Sequence, residues 1–209
     1  QDSRFGRDAN PSPGKVGGGA AGFDYTKISN SGNALPASTA LGSGPNDWAC
    51  TRDNVTGLRW EVKTLTPGSP GLRDVTNSYN WYDPNPATNG GDAGSTGTAT
   101  SCNNTLAACN THDYVIAVNA ASLCGRSDWR LPSYRDAFTL FNAQTLGAVS
   151  PTPFDATYFL LRGNVMFTSN TVIGNTSNAW YVSSNGMDFR AKSSAPRQVR
   201  LVAGTNAFQ

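Results

Sequence analysis

One histidine and one glutamate bound the acid–base chemistry open to this chain. His112 stands beside Asp113, but no G-x-S-x-G turn presents a serine to it. Its place in the first turn of an expected helix is that of a solvated polar residue. Glu61 lies between Trp60 and Val62 on an expected strand, so its side chain points away from theirs. Lys63 or an arginine is a more natural partner for it than a second catalytic acid. A non-enzymatic protein without a cofactor is therefore expected. Asp83, Asn85, Asn89 and Asp92 place oxygen ligands in one Gly/Pro-rich loop, as a hard cation prefers, though without EF-hand spacing. The same residue types are common turn formers. Arg190, Lys192, Arg197 and Arg200 bring four positive charges close to the C-terminus, with only Asp188 beside them. The planar fork of arginine matches sulfate or carboxylate. Joined to exposed aromatics such as Trp81, Tyr82 or Trp180, these charges would form a site for an extracellular polysaccharide.

Cys50, Cys102, Cys109 and Cys124 contain no C-x₂-C pair, which argues against zinc. An even count suits an oxidising compartment. Four cysteines allow three pairings, and sequence alone does not choose among them. The preferred pairing joins Cys102 to Cys109 across a short loop and Cys50 to Cys124 across a long one.

Those groups must be positioned by a chain of 209 residues with a net charge of +2, too near neutral for a dedicated nucleic-acid binder. Only 14% of residues are charged, and Gly, Ser, Thr and Asn together make up about 40%. Such a composition favours strands, turns and hydrogen-bonded loops over a helical bundle. No apolar stretch is long enough to span a membrane. The chain opens at Gln1 without a basic and apolar leader, and removal of a signal peptide in a secreted protein would account for this.

Residues 1–22 are rich in glycine and proline, and Phe5 is their one large apolar residue. Alone, such a tail cannot bury enough surface to offset its ordering entropy. Order within it requires contact with its own domain or with a neighbouring copy. The domain proper is expected over 23–209. Strands are expected at 23–28 and 55–62, with a loop over 29–47 and a long excursion over 66–110. Helices are expected over about 111–124, stopped by Gly125, and from Ser133, where Ser133 and Asp136 have the form of a capping box. Strands return at 165–167 and 179–183, followed by a tight turn at Ser184-Asn185-Gly186. The last two are expected at 187–190 and 198–202. The order implies an α+β domain with mostly antiparallel pairing around two central helices.

Four segments carry a resemblance: Trp48 to Lys63, with its Asp-Asn-Val-Thr-Gly-Leu-Arg-Trp run; Tyr114 to Gly125, ending Leu-Cys-Gly; Asp128-Trp-Arg-Leu-Pro-Ser133; and Val199 to Val202. Together they resemble the Lcl C-terminal domain family over about residues 23–203. The resemblance implies a disulfide-stapled, C-type-lectin-like fold, related in shape to the formylglycine-generating enzymes. It also implies an extracellular role. At least one such protein binds sulfated glycans as an adhesin, and similar domains occur as heads on surface fibres. The motif residues Trp60, Trp129, Arg130, Leu131 and Pro132 read as scaffold: Trp129, Leu131 and Pro132 plug the space between the helices, and Arg130 satisfies buried carbonyls or pairs with an aspartate.

The leading expectation is a secreted structural subunit of an extracellular, pilus-like filament, self-associating through its N-terminal tail, with or without a second, stalk-type chain. The alternative is an adhesin for sulfated polysaccharide.

Overall fold

Alternation beginning at Phe23 produces β1 (Tyr25–Ser29), which pairs with a two-residue β2 (Ala34–Leu35) and with β3 (Trp48–Asp53). The computed structural model describes residues 10, 14–141, 154–160, 166–183 and 186–207. A turn at Asp53–Leu58 leads to β4 (Arg59–Glu61). Asp53 holds that turn by accepting from the Val55 N–H and the Thr56 hydroxyl. Near the C-terminus, β9 (Val202–Ala203) lies between β4 and β5 (Trp129–Arg130), giving a six-stranded antiparallel sheet ordered β2-β1-β3-β4-β9-β5. A second antiparallel sheet is built from β6 (Met166–Val172), β7 (Asn175–Ser183) and β8 (Gly186–Ala191). Among the described residues the fold is thus α+β, with two α-helices and two disulfides.

Both faces of the larger sheet are covered. On β9, Ala203 joins one apolar cluster with Tyr79, Tyr114, Val118 and Trp129, whereas Val202 joins another with Tyr25, Trp60, Leu140 and Phe159. This double covering explains why β3, which lies between the expected loop over 29–47 and the expected strand from 55, escapes an alternation argument: Trp48, Ala49, Cys50 and Thr51 are all buried. It also shortens the expected strand at 198–202, where Val199, Arg200 and Leu201 are all buried and regular pairing covers only 202–203. Part of the expected strand at 165–167 and the turn residues Ser184 and Asn185 lie outside the described residues; Ser183 does pair with Gly186 across that turn.

Helix α1 (Thr111–Ala120) is capped by Asn110, whose side chain accepts from the Asp113 N–H, and it buries Thr111, Tyr114 and Val118. It ends before the expected position 124. Ser122 and Cys124 adopt left-handed φ values of 48° and 52°, and the resulting turn carries Cys124 to β3, where it is bonded to Cys50. Helix α2 (Tyr134–Phe138) has the expected capping box: Ser133 accepts from the Asp136 N–H, and Asp136 accepts from the Ser133 N–H. Cys102 and Cys109 form the second disulfide, within the long excursion.

Three of the four lysines are inside. Lys27, Lys63 and Lys192 are 6%, 2% and 0% exposed, and each ammonium lies over an aromatic ring. An aromatic face and a few oxygens replace the water each cation has lost.

Candidate functional site

Below the Cys50–Cys124 staple, Glu61 faces Cys50 across the β3–β4 register and points away from Trp60, as its strand position requires. Its Oε1 lies 2.7 Å from Lys63 Nζ and accepts from the Tyr114 hydroxyl, while Oε2 accepts from the Leu201 N–H at 2.9 Å. Burial pushes the Glu61 carboxyl up, but Lys63 and these donors bring it below the usual carboxylate range. Burial lowers Lys63 to about 8, with Glu61 opposing the change. Burial, reinforced by Glu61, holds the Tyr114 phenol well above its ordinary value. This is a buried ion pair with a protonated phenol, bonded on every side. Its hydrogen bonds tie β4 to α1 and to the chain before β9.

His112 lies elsewhere, half-buried, with its ring edge-on to Tyr82 at 6.2 Å between centroids. The two rings border a cleft of about 260 Å³ that also takes in Asp83, Arg130 and Leu131. A larger cleft, about 430 Å³, is lined by hydroxyls of Ser43, Thr64, Thr66 and Ser69 above Leu72 and Val118. Its one cation, Arg73, is committed to the carbonyls of Ala49 and Val62.

The loop proposed for calcium has another organisation. Asp83 accepts from the Asn85 N–H and the Thr88 hydroxyl, Asn85 from the Ala87 N–H, Asn89 from the Gly91 N–H, and Asp92 from the Gly94 N–H. These side-chain oxygens cap their own turns instead of converging. At the centre stands Lys192, whose Nζ donates to the Asn89 and Asp92 carbonyls at 2.6 and 2.7 Å and lies 4.2 Å from the centre of the Trp81 ring. The cation of this loop is an ammonium supplied by the chain. Among the described residues, no group of three His, Cys, Asp or Glu side chains is arranged to hold a metal.

The C-terminal charge set is divided between surface and interior. Lys192 is fully enclosed, and Arg200, only 5% exposed, donates to the Glu61 and Leu160 carbonyls. Burial lowers the Arg200 guanidinium, with Glu61 opposing. Arg197 is half-buried beside Tyr79, with which it exchanges two backbone bonds. Only Arg190 stands exposed, over the Tyr181 ring. Of the three aromatics, Trp81 is buried and donates to the Thr168 carbonyl, while Tyr82 and Trp180 are partly exposed. Charge density along a sequence does not report which side chains the core has recruited, so these residues do not form one anion site.

Trp60 is fully buried, Trp129 nearly so, and the Trp129 indole donates to the Leu123 carbonyl. Arg130 pairs with Asp136 at 2.7 Å and donates to the Leu131 and Gly204 carbonyls. Pro132 is buried, and its carbonyl accepts from the Ser169 N–H.

The residues least visible in the sequence are Gly17, Gly18 and Gly19. Gly18 and Tyr25 exchange backbone bonds of 2.9 and 2.6 Å, so this segment lies beside the start of β1, on the side where β2 pairs farther along. Asp24 accepts from the Val16 and Gly17 N–H groups. A Cβ on Gly17 would lie 2.1 Å from the Tyr25 carbonyl oxygen, and one on Gly18 would lie 2.3 Å from the Tyr158 hydroxyl. Only glycine fits there. The tail expected to end at 22 is therefore docked on its own body from Val16 onward; the glycine run was its signal, as glycine allows close backbone approach.

No curated protein matches the chain, and no solved structure does. The profile of the Lcl C-terminal domain matches residues 49–203, from β3 through β9. That span holds both disulfides, both helices and the buried Glu61–Lys63 centre, so the chain belongs to the Lcl C-terminal domain family.

Proposed function

We propose that this chain is a secreted, non-enzymatic structural subunit of an extracellular, pilus-like filament, with a C-type-lectin-like body and an N-terminal segment that contacts neighbouring copies. One observation carries the reading: a glycine segment docks on a sheet edge by main-chain bonds, with no room for side chains. Recognition of that kind needs only an extended strand and a free edge. Two disulfides suit life outside the cytosol. No helix among the described residues is long and apolar enough to cross a membrane. The low proportion of charged residues reduces repulsion between copies. Electron microscopy of the intact chain and of a chain beginning at Phe23 tests the proposal. Filaments from the intact chain alone are expected; equal assembly of both overturns it.

A second reading, a glycan-binding adhesin, draws on the cleft between Tyr82 and His112, which offers a partly exposed aromatic face beside Arg130. Heparin binding that weakens with salt and with Tyr82→Ala would favour it. Indifference to both would discard it.

A further inference from the structure

We infer that the segment from Val16 to Gly19 is exchanged between copies, each docking beside the start of β1 in the next. This rests on the filament reading above and specifies the contact it requires. With the segment docked, a cleft of about 340 Å³ remains beside it, bordered by Val16, Gly17 and Gly18 of the segment and by Thr26, Leu35, Pro36 and Tyr158 of the body. Among the described residues, the bonds that residues 14–19 make to the body are main-chain bonds to Asp24 and Tyr25. The Lys15 ammonium turns back onto the segment itself, at the Gly19 carbonyl, and Val16 is 85% exposed. Nothing in that set depends on which copy supplies the segment.

What commits the segment to its own body is the short turn between Gly19 and Phe23, closed by the Phe23 N–H on the Ala20 carbonyl and held by the Ala20 N–H on the Asp155 carboxylate. That turn forces Ala21 to a left-handed φ of 47°, where its Cβ crowds the backbone. A short, strained hinge between a docked strand and its domain favours exchange, because opening relieves the hinge and every docking bond is made again in trans. Donation from each copy to the next is head-to-tail, and such a contact grows into a filament unless its rotation closes a ring.

The test uses the full chain carrying Val16→Cys and Ala37→Cys, two positions that border the cleft. All four native cysteines are disulfide-bonded, so a short bismaleimide reacts with the new pair. Val16→Cys with Pro36→Cys is a second geometry. Exchange predicts a ladder of covalent oligomers on a denaturing gel. Ala21→Gly, which relaxes the closed hinge, lowers the interchain fraction about fivefold. Ala21→Pro, which forbids positive φ, raises it. Filaments whose crosslinks are all within single chains overturn the exchange and leave the filament reading intact. No crosslink in either pair overturns the assignment of the docking site. Micrographs of the same samples show separately whether the chains assemble.

Discussion

Two buried lysines, each beside a disulfide-stapled stretch of chain, solve the same electrostatic problem differently. Lys63, below the Cys50–Cys124 bridge, is matched by the carboxylate of Glu61. Lys192, just after β8 and packed into the excursion that also holds Cys102–Cys109, is matched by two carbonyl dipoles and an indole face. The first arrangement balances charge by charge, so each partner depends on the other and the pair joins β4 to α1. The second has no counter-ion to lose. It organises a loop, and its removal frees carbonyls that water can still reach once the loop opens. One lysine supports the whole fold; the other supports a local shape.

Breaking the core pair has the largest expected effect. Glu61→Gln leaves Lys63 buried without its counter-charge and costs about 3–5 kcal/mol in urea unfolding. The double substitution Glu61→Gln with Lys63→Met recovers much of that loss; equal damage from single and double variants would contradict the pairing. The staples follow. Replacing Cys50 and Cys124 with serine costs roughly 4 kcal/mol by loop entropy, against roughly 2.5 kcal/mol for Cys102 and Cys109. Lys192→Met is smaller again, about 2 kcal/mol for two charge-assisted bonds. Its effect is concentrated in faster amide exchange over residues 83–94, where Glu61→Gln should raise exchange throughout. A uniform rise in the Lys192 variant would erase the distinction between core and loop.

The pH dependence sharpens the same contrast. Glu61 titrates lower in the folded chain than in the unfolded one. Its contribution is therefore present above the ordinary carboxylate pKa, about 4.3, and lost as the pH falls below it. Lys63 titrates at about 8 when folded and at about 10.4 when unfolded. Between those values the unfolded chain holds the extra proton, so stability rises with pH. Thermal unfolding from pH 3 to 10 should show both limbs, and Glu61→Gln should flatten the acid one.

Where a local rule decides a structure, the sequence was enough to read it. The Ser133–Asp136 box and the opposed directions of Trp60 and Glu61 follow from neighbours a few residues apart. Where long-range packing decides, it was not. Strand β3 is buried on both sides and carries no alternation. Helix α1 stops early because a distant disulfide draws Cys124 away. Arg200 and Lys192 look like surface charge until the elements that enclose them are assembled. Nor does the loop of Asp83 to Asp92 show in sequence that its Asn89 and Asp92 carbonyls face a lysine about a hundred residues away.

Lysine placement has a practical corollary. With Lys27, Lys63 and Lys192 enclosed, and Lys15 bonded to Gly19, the outer cationic charge of the protein is carried almost wholly by guanidinium groups. Reagents and enzymes that acylate or aldehyde-crosslink side-chain amines would find little to attack until the chain unfolds. A coat built from such subunits would resist that chemistry by geometry alone.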